Sequence, residues 1–188
     1  MDLSTELTDD VIVLRPFRMD DSKKLYGAIF ESLAELKPWM SWAHDGYTQN
    51  ESDGFIRITR ARWEEKTLFA FAIIDAGNGD LLGGCGLSYK HPVYHFCNLG
   101  YWVRTTKQGN GFAGRAAKLA ARFGFEKTGL IRAEIVMAVG NEKSRRVAEK
   151  IGAHYEGILR NRMVVGKAIY DAHMYSLLPS DFGLVAEL

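Results

Sequence analysis

The sequence predicts a single α+β domain in which helices pack on one mixed β-sheet. The predicted elements follow the order strand, two helices, three strands, helix, strand, helix, two strands. The three consecutive strands within residues 68–103 have no helix between them, which excludes a plain doubly wound fold. The 188 residues contain no linker, internal repeat or low-complexity tract, so we predict one domain over 1–188 with a core at about 10–182.

The first third of the chain supplies one strand and two helices. Val11–Phe17 has the pattern of a strand, which Pro16 stops. Four apolar residues at helical spacing predict the first helix, which Pro38 ends: Leu25, Ile29, Leu33 and Leu36. Asn50 can cap a second helix, whose inward side is predicted to carry Phe55, Ile58 and Trp63.

Three strands joined by short turns follow. They are predicted at Leu68–Asp75, Leu82–Tyr89 and Tyr94–Val103. The middle strand contains Gly83, Gly84 and Gly86, which indicates a bulge or a close approach of the neighbouring backbone. This part of the sheet is therefore expected to be antiparallel.

The second half of the chain begins with a strand–helix–strand crossover. A helix over about 111–127 leads to a strand at Ile131–Val139, and a connection of this length predicts a parallel pair. The helix is predicted to turn its alanines inward, and its basic residues Arg115, Lys118 and Arg122 to form a solvated face, with contact to a phosphate as the alternative for Arg115. Asn141 then caps a short helix, and two strands follow at His154–Leu159 and Ile169–Leu177.

Charge and composition exclude several classes of protein. The formal net charge is +1, which gives no electrostatic reason to expect nucleic acid or a membrane surface as a direct partner. The N-terminal ten residues lack the pattern of a signal peptide. Cys85 and Cys97 have no zinc or redox spacing, so we expect buried thiols, no metal and a cytoplasmic protein.

A glycine-rich loop between a strand and a helix predicts a phosphate site at Gln108–Gly114. The first N–H groups of a helix lack internal partners and attract anions, and glycines let a ligand approach them. Gly109, Gly111 and Gly114 also fit the dinucleotide fingerprint G-x-G-x-x-G. However, Arg104–Gln108 separate those glycines from the strand, and Glu134 lies inside a strand rather than at its end. A loop that merely begins a helix is the plain alternative.

Gln108-x-x-Gly111-x-Ala113 instead resembles the signature of the GNAT acetyltransferase superfamily. Further segments resemble its branch of ribosomal-protein N-terminal (RimJ/RimL-type) acetyltransferases: Leu36–Trp42, Gly100–Val103, Asn141-x-x-Ser144, Val147–Gly152, Glu156–Arg160 and Tyr175–Leu178. The resemblance covers about residues 10–182. It implies the GNAT fold, a mostly antiparallel seven-stranded mixed sheet flanked by about four helices.

The resemblance also implies acetyl-CoA as co-substrate and a set of residues that bind it. Trp102 and Val103 would contribute backbone groups to the pantetheine arm. The other implied contacts are Gln108, Gly109, Asn110, Gly111, Phe112, Ala113, Gly114, Asn141 and Ser144. In that branch the serine is the proposed acid near the sulfur, so Ser144, with Asn141, is the implied catalytic residue. From the residues alone, Asn141 and Ser144 are equally well explained as local helix-capping groups.

Two parts of the chemistry are left open by the sequence. The branch often carries a glutamate two residues before the Gly-Tyr pair, where this chain has Asn98. The candidates for the general base are therefore Glu134, a histidine (His44, His95 or His173) or a chain of water molecules. Trp39, Trp42 and Tyr101 are predicted to line the acceptor cleft, with core packing as the alternative for the tryptophans.

The predicted function is transfer of an acetyl group from acetyl-CoA to a primary amine by direct attack in a ternary complex. The favoured acceptor is a protein N-terminal α-amine, with a ribosomal protein as the candidate. A polyamine, an amino acid or an amine antibiotic is the alternative acceptor. A non-catalytic acetyl-CoA sensor is the alternative of a different class. The resemblance also suggests a homodimer.

Overall fold

The structure, a computed structural model, describes residues 2–88 and 90–186. Its α-helices are α1 (Ser22–Leu36), α2 (Gln49–Glu64), α3 (Phe112–Thr128) and α4 (Glu142–Lys150). Its strands are β1 (Leu7–Thr8), β2 (Ile12–Pro16), β3 (Phe69–Asp75), β4 (Leu81–Ser88), β5 (Phe96–Val103), β6 (Arg132–Ala138), β7 (His154–Val165) and β8 (Ala168–Leu177). Tyr89, the predicted last residue of β4, lies outside the described residues.

The strands form one sheet in the order β1-β2-β3-β4-β5-β6-β8-β7. Every neighbouring pair is antiparallel except β5 and β6, which are parallel and are joined through α3, as the crossover predicted. The predicted seven strands are confirmed, and the sheet has an eighth because β1 adds two residues that pair with β2. So short a strand leaves no alternation of apolar residues by which to recognise it.

Two apolar clusters cover the two faces of the sheet. On one face α1 and α2 pack through residues such as Leu25, Ile29 and Ile56. On the other face α3 and α4 pack on the central strands. Ala116, Ala117 and Ala120 of α3 are fully buried, so this helix lies close to the sheet. No described helix has the length and apolar character needed to cross a membrane.

The prediction for α2 was wrong in its start and in its inward face. Thr48 is the residue that precedes the helix. The Thr48 backbone N and the Thr48 hydroxyl donate to the Glu51 carboxylate at 2.8 and 2.9 Å, so Thr48 and not Asn50 is the cap. Ile56 is fully buried, whereas Phe55 and Ile58 are 41% and 54% exposed. Of the predicted inward residues only Trp63 is buried. The buried face of α2 is instead formed by Ser52, Ile56, Thr59 and Trp63, since packing against the rest of the fold decides which side of the helix turns inward.

The glycines of β4 allow β5 to approach closely, as predicted. A Cβ at Gly83 would lie 2.1 Å from the Trp102 carbonyl oxygen and 2.9 Å from the Val103 Cα. A Cβ at Gly84 would lie 2.8 Å from Nε1 of the Trp102 side chain. Glycine is therefore required beside the end of β5, which fixes the position of Trp102 and Val103.

The two cysteines are buried and unpaired, as predicted. Burial raises the pKa of both thiols to about 12, so they stay protonated at neutral pH.

Two carboxylates join distant parts of the chain and make stability sensitive to acid. Glu31 of α1 pairs with Arg104 after β5, and Glu156 of β7 pairs with Arg132 of β6. Hydrogen bonds from these arginines lower the pKa of each carboxyl from 4.5 to about 2. Below pH 4.5 the unfolded chain therefore binds more protons than the folded one, and this contribution to stability is lost as the pH falls toward about 2.

We expect the free energy of unfolding, measured by urea titration, to decrease over that pH range. The variant carrying both Glu31→Gln and Glu156→Gln should lose much of this dependence, because neither glutamine titrates. A slope in the double variant equal to that of the parent protein would contradict the assignment to these two pairs.

Candidate functional site

Strands β5 and β6 separate halfway along their length. They pair at three positions, the last of which joins Asn98 to Glu134. Beyond that pair β5 continues along β4 as far as Val103, whereas β6 continues along β8. Within the described part of the chain, residues 99–103 have no register partner on the β6 side. Backbone groups that a strand would otherwise pair are thus available to a ligand.

A cleft of about 1220 Å³, here called the main cleft, opens at this separation. It is bounded by the end of α1, the loop after β5, α3 and α4. Most predicted cofactor residues line it: Trp102, Val103, Gln108, Gly109, Gly111, Phe112, Ala113, Gly114, Asn141 and Ser144. Asn110 is not among its lining residues. The Asn110 Nδ2 instead donates to the carbonyls of Lys107 (3.1 Å) and Gln108 (3.2 Å), which shapes the loop.

The glycine loop brings the start of α3 to the main cleft. Gly109 and Gly111 have φ values of +84° and +78°, which are strained for any residue with a Cβ. Gly111 is the residue that immediately precedes α3. The unpaired N–H groups at the start of this 17-residue helix, and its dipole, therefore favour an anion here.

The charges of the main cleft favour the same kind of ligand. Its lining includes seven basic side chains, Lys107, Arg115, Lys118, Arg122, Lys143, Arg146 and Lys150, against three acidic ones, Asp9, Glu35 and Asp181. The stripe on α3 that the sequence indicated as a solvated face thus faces the cleft together with residues of α4. Arg115 also pairs with Asp9 at 2.7 Å. This concentration of positive charge suits several phosphate groups.

The side chain of Gln108 links the elements around the main cleft. Its Nε2 donates to the Val103 carbonyl at 3.3 Å, and its Oε1 accepts from the Lys143 ammonium at 3.1 Å. Lys143 of α4 also pairs with Glu35 of α1. The loop is therefore held at a fixed position relative to the free edge of β5.

Ser144 and Tyr101 form a hydroxyl pair at the strand separation. The Tyr101 hydroxyl donates to the Ser144 carbonyl at 3.1 Å and accepts from the Ser144 Oγ at 3.3 Å. Burial raises the pKa of Tyr101 to about 12, so its hydroxyl keeps its proton at neutral pH. Asn141 caps α4, because its Oδ1 accepts from the Ser144 backbone N at 3.2 Å. The local capping interpretation of Asn141 thus holds, and Asn141 also faces the cleft.

A second cleft of about 480 Å³, the small cleft, adjoins the first. Five residues line both clefts: Trp39, Met40, Tyr101, Asn141 and Ser144. Asn98, Gly100, Glu134 and Met163 also line the small cleft, where Glu134 and Arg162 are the charged residues among the described lining. Trp42 lies outside both, with its ring 6.1 Å from that of Trp102. The two clefts meet at the hydroxyl pair, so two ligands could react there.

Sequence reasoning missed the contact between Tyr101 and Ser144 and, apart from Arg115, the basic residues of the main cleft. Tyr101 was predicted only as an acceptor contact. In the structure its phenol, on β5, also contacts Ser144 of α4. The sequence separation of 43 residues left no local pattern to reveal this pair.

Comparison with known proteins agrees with this geometry. The family model described as "Acetyltransferase (GNAT) domain" matches residues 12–154. The Bacillus subtilis protein named "Putative ribosomal N-acetyltransferase YdaF" is 29% identical over 174 residues, covering 91% of this chain and 93% of that protein. The ribosomal-protein-serine acetyltransferase of Escherichia coli is 23% identical over 154 residues, covering 82% and 85%. The structure of RimL, a ribosomal L7/L12 α-N-protein acetyltransferase in complex with coenzyme A, has the same fold, with a TM-score of 0.85 at 16% identity and coverage of 93% and 98%.

Proposed function

Because the chain belongs to the GNAT acetyltransferase family and is thus an acetyl-CoA-dependent N-acetyltransferase, we propose that its acceptor is a protein N-terminal α-amine of the ribosomal-protein type. The names of its relatives support this acceptor. The observation that carries it is the lining of the small cleft, which is largely apolar and in which Glu134 is the one carboxylate among the residues that the structure describes. One carboxylate suits one ammonium, whereas a polyamine or an aminoglycoside would need several.

In the proposed reaction, the main cleft holds acetyl-CoA and the small cleft holds the amine. The glycine loop and the start of α3 bind the pyrophosphate, and the basic residues of α3 and α4 neutralise the remaining phosphate charge. The free edge of β5 at Trp102 and Val103 binds the pantetheine arm, and a backbone N–H there polarises the thioester carbonyl. The amine then attacks from the small cleft while both substrates are bound.

Release of CoA thiol from acetyl-CoA tests this function. We would compare three acceptor sets: peptides with free N-termini, polyamines and aminoglycosides. The same peptides with blocked N-termini and free lysines are the matched control. We expect turnover with free N-termini alone. Turnover with a polycation instead, or equal turnover with blocked peptides, would contradict the proposed acceptor.

Ser144 and Tyr101 are proposed to donate the proton that the departing thiolate needs. Ser144→Ala should lower kcat by about 100-fold, the lower end of what general acids supply, because serine is a weak acid. Tyr101→Phe should have a similar effect, and the double variant should lose little more, since the two hydroxyls act as one unit. Steady-state kinetics and calorimetry should show the affinity for acetyl-CoA within about twofold of the parent.

Ser144→Thr serves as the control, because it keeps a hydroxyl on the same carbon and should retain most of the activity. Full activity of Ser144→Ala would contradict the role of the hydroxyl pair.

A homodimer stays a prediction, and light scattering on the purified protein would test it.

A further inference from the structure

The carboxylate expected on β5 has a counterpart on the neighbouring strand. The sequence places Asn98 where the family resemblance leads us to expect a glutamate. In the sheet Asn98 pairs with Glu134 of β6, and this pair is the last before the two strands separate. Both side chains line the small cleft, together with Tyr101 and Ser144. A carboxylate is therefore present at the strand separation, but β6 supplies it.

We propose that Glu134 is the catalytic carboxylate that binds the acceptor ammonium and removes its proton. The proposal rests on the proposed acetyl transfer and assigns the base of that reaction. Glu134 is the one carboxylate among the described residues that line the small cleft. Its side chain is only 15% exposed, so it faces the cleft rather than bulk solvent.

Arg132 is the residue that positions Glu134. Its Nε donates to the Glu134 Oε1 at 3.0 Å, while its two terminal nitrogens donate to the Glu156 carboxylate at 2.7 and 2.6 Å. The Ser176 Oγ holds Glu156 in turn, at 2.7 Å. Because Glu156 takes both terminal nitrogens, Arg132 reaches Glu134 through Nε alone. Among the described residues the second oxygen of the Glu134 carboxylate accepts no side-chain hydrogen bond, so it is available to a cation in the cleft while the contact with Arg132 fixes the orientation.

The histidines that the sequence left as candidates lie elsewhere. The His44 Nε2 contacts Glu51 at 2.8 Å near the start of α2. His173 is buried and contacts the Tyr155 hydroxyl at 3.2 Å. His95 lies in the turn before β5, with a φ of +52°. None of the three is among the described residues that line either cleft.

The proton balance of the step is complete without another reactant. The acceptor ammonium gives one proton to the Glu134 carboxylate, directly or through one water, and becomes a neutral amine. Its nitrogen lone pair forms the new C–N bond, and the C–S bond breaks with its electrons left on sulfur. The extra proton of the new amide nitrogen passes through the Tyr101 and Ser144 hydroxyls to the sulfur, which leaves as the CoA thiol. Glu134 returns its proton to water.

Substitution of Glu134 by glutamine removes the charge and keeps the shape and the bond from Arg132. We expect Glu134→Gln to lower kcat/KM for a peptide N-terminus by about 100-fold or more, with the Kd of acetyl-CoA unchanged within about twofold. Adding Asn98→Glu to this variant should restore activity at least about tenfold, because it returns a carboxylate to the same level of the sheet. Glu65→Gln, an exposed glutamate at the end of α2, is the matched control.

A second acceptor separates proton removal from a structural role. The effect of Glu134→Gln should shrink to about threefold or less for a small amine that is already neutral at the assay pH. Equal losses for charged and neutral amines, or unchanged kinetics in Glu134→Gln, would overturn the proposal. If the glutamine variant does not fold, Glu134→Asp withdraws the carboxylate by one methylene, and its loss of activity should again be larger for the charged amine than for the neutral one. An inactive parent protein would instead refute the proposed function, so the two failures are distinguishable.

Discussion

Replacement of Gly111 by aspartate is expected to weaken acetyl-CoA binding by at least about 100-fold, or about 2.7 kcal/mol. Gly111 has a φ of +78° and immediately precedes α3. A side chain there strains the backbone whose N–H groups would hold the pyrophosphate. The aspartate also places a negative charge where the helix dipole and the basic residues of the main cleft favour an anion. Calorimetric titration with acetyl-CoA measures the effect.

Gly129→Asp is the matched control for Gly111→Asp. Gly129 follows the other end of the same helix, has a φ of +66° and, like Gly111, has open space where a Cβ would lie. The two variants therefore share the backbone strain, and they differ in distance from the main cleft. We expect Gly129→Asp to lower stability and to leave the Kd of acetyl-CoA nearly unchanged. Similar affinities for the two variants would refute the assignment of the glycine loop to the phosphates.

Gly83→Ala is expected to lower the free energy of unfolding by about 3–5 kcal/mol. Among single substitutions, losses of this size occur where the new side chain overlaps severely with a packed core. The added Cβ would lie 2.1 Å from the Trp102 carbonyl oxygen. Both atoms belong to central strands, so neither can rotate away as a side chain would. Relief requires β4 and β5 to move apart, which displaces the strand edge that we propose for the pantetheine arm. Urea unfolding and acetyl-CoA titration should therefore both show a loss.

Gly54→Ala is the control for the change from glycine to alanine itself. Gly54 lies within α2 and has no atom within 4 Å of the position that a Cβ would take. This variant should be neutral or more stable by up to about 1 kcal/mol, because alanine favours the helix. If Gly83→Ala behaved in the same way, the close approach of β4 and β5 would be disproved.

The elements that follow a single periodicity were predictable from the sequence. The alanine face of α3 and the crossover to β6 are examples, because spacing alone determines which side of a helix turns inward and which strands are parallel. Helix α2 was harder, since apolar residues occur on two adjacent faces and the fold decides which is buried. The Thr48-x-x-Glu51 pattern was present in the sequence and would have identified the correct cap.

The candidate site was predictable where its residues are close in the chain. The loop at Gln108–Gly114 and the Asn141–Ser144 pair were recognised because each forms a short motif, and the structure brings both to the main cleft. The pairing of Asn98 with Glu134 could not be inferred from the sequence, because it depends on the register between two strands that are joined through a helix. The positive charge of the main cleft was likewise not predictable from the net charge of +1, because a sum over the chain does not show where the charged side chains lie in the fold.

The separation of β5 from β6 has a consequence for the order in which the products leave. Along β5, Leu99 belongs to the apolar cluster under α3, whereas Asn98 and Gly100 alternate with it, and all three residues line the small cleft. The small cleft thus takes its lining from both faces of the sheet, at the gap between the two strands. With the acceptor in this cleft and acetyl-CoA in the main cleft, as proposed, we expect CoA to exchange while the acceptor is still bound.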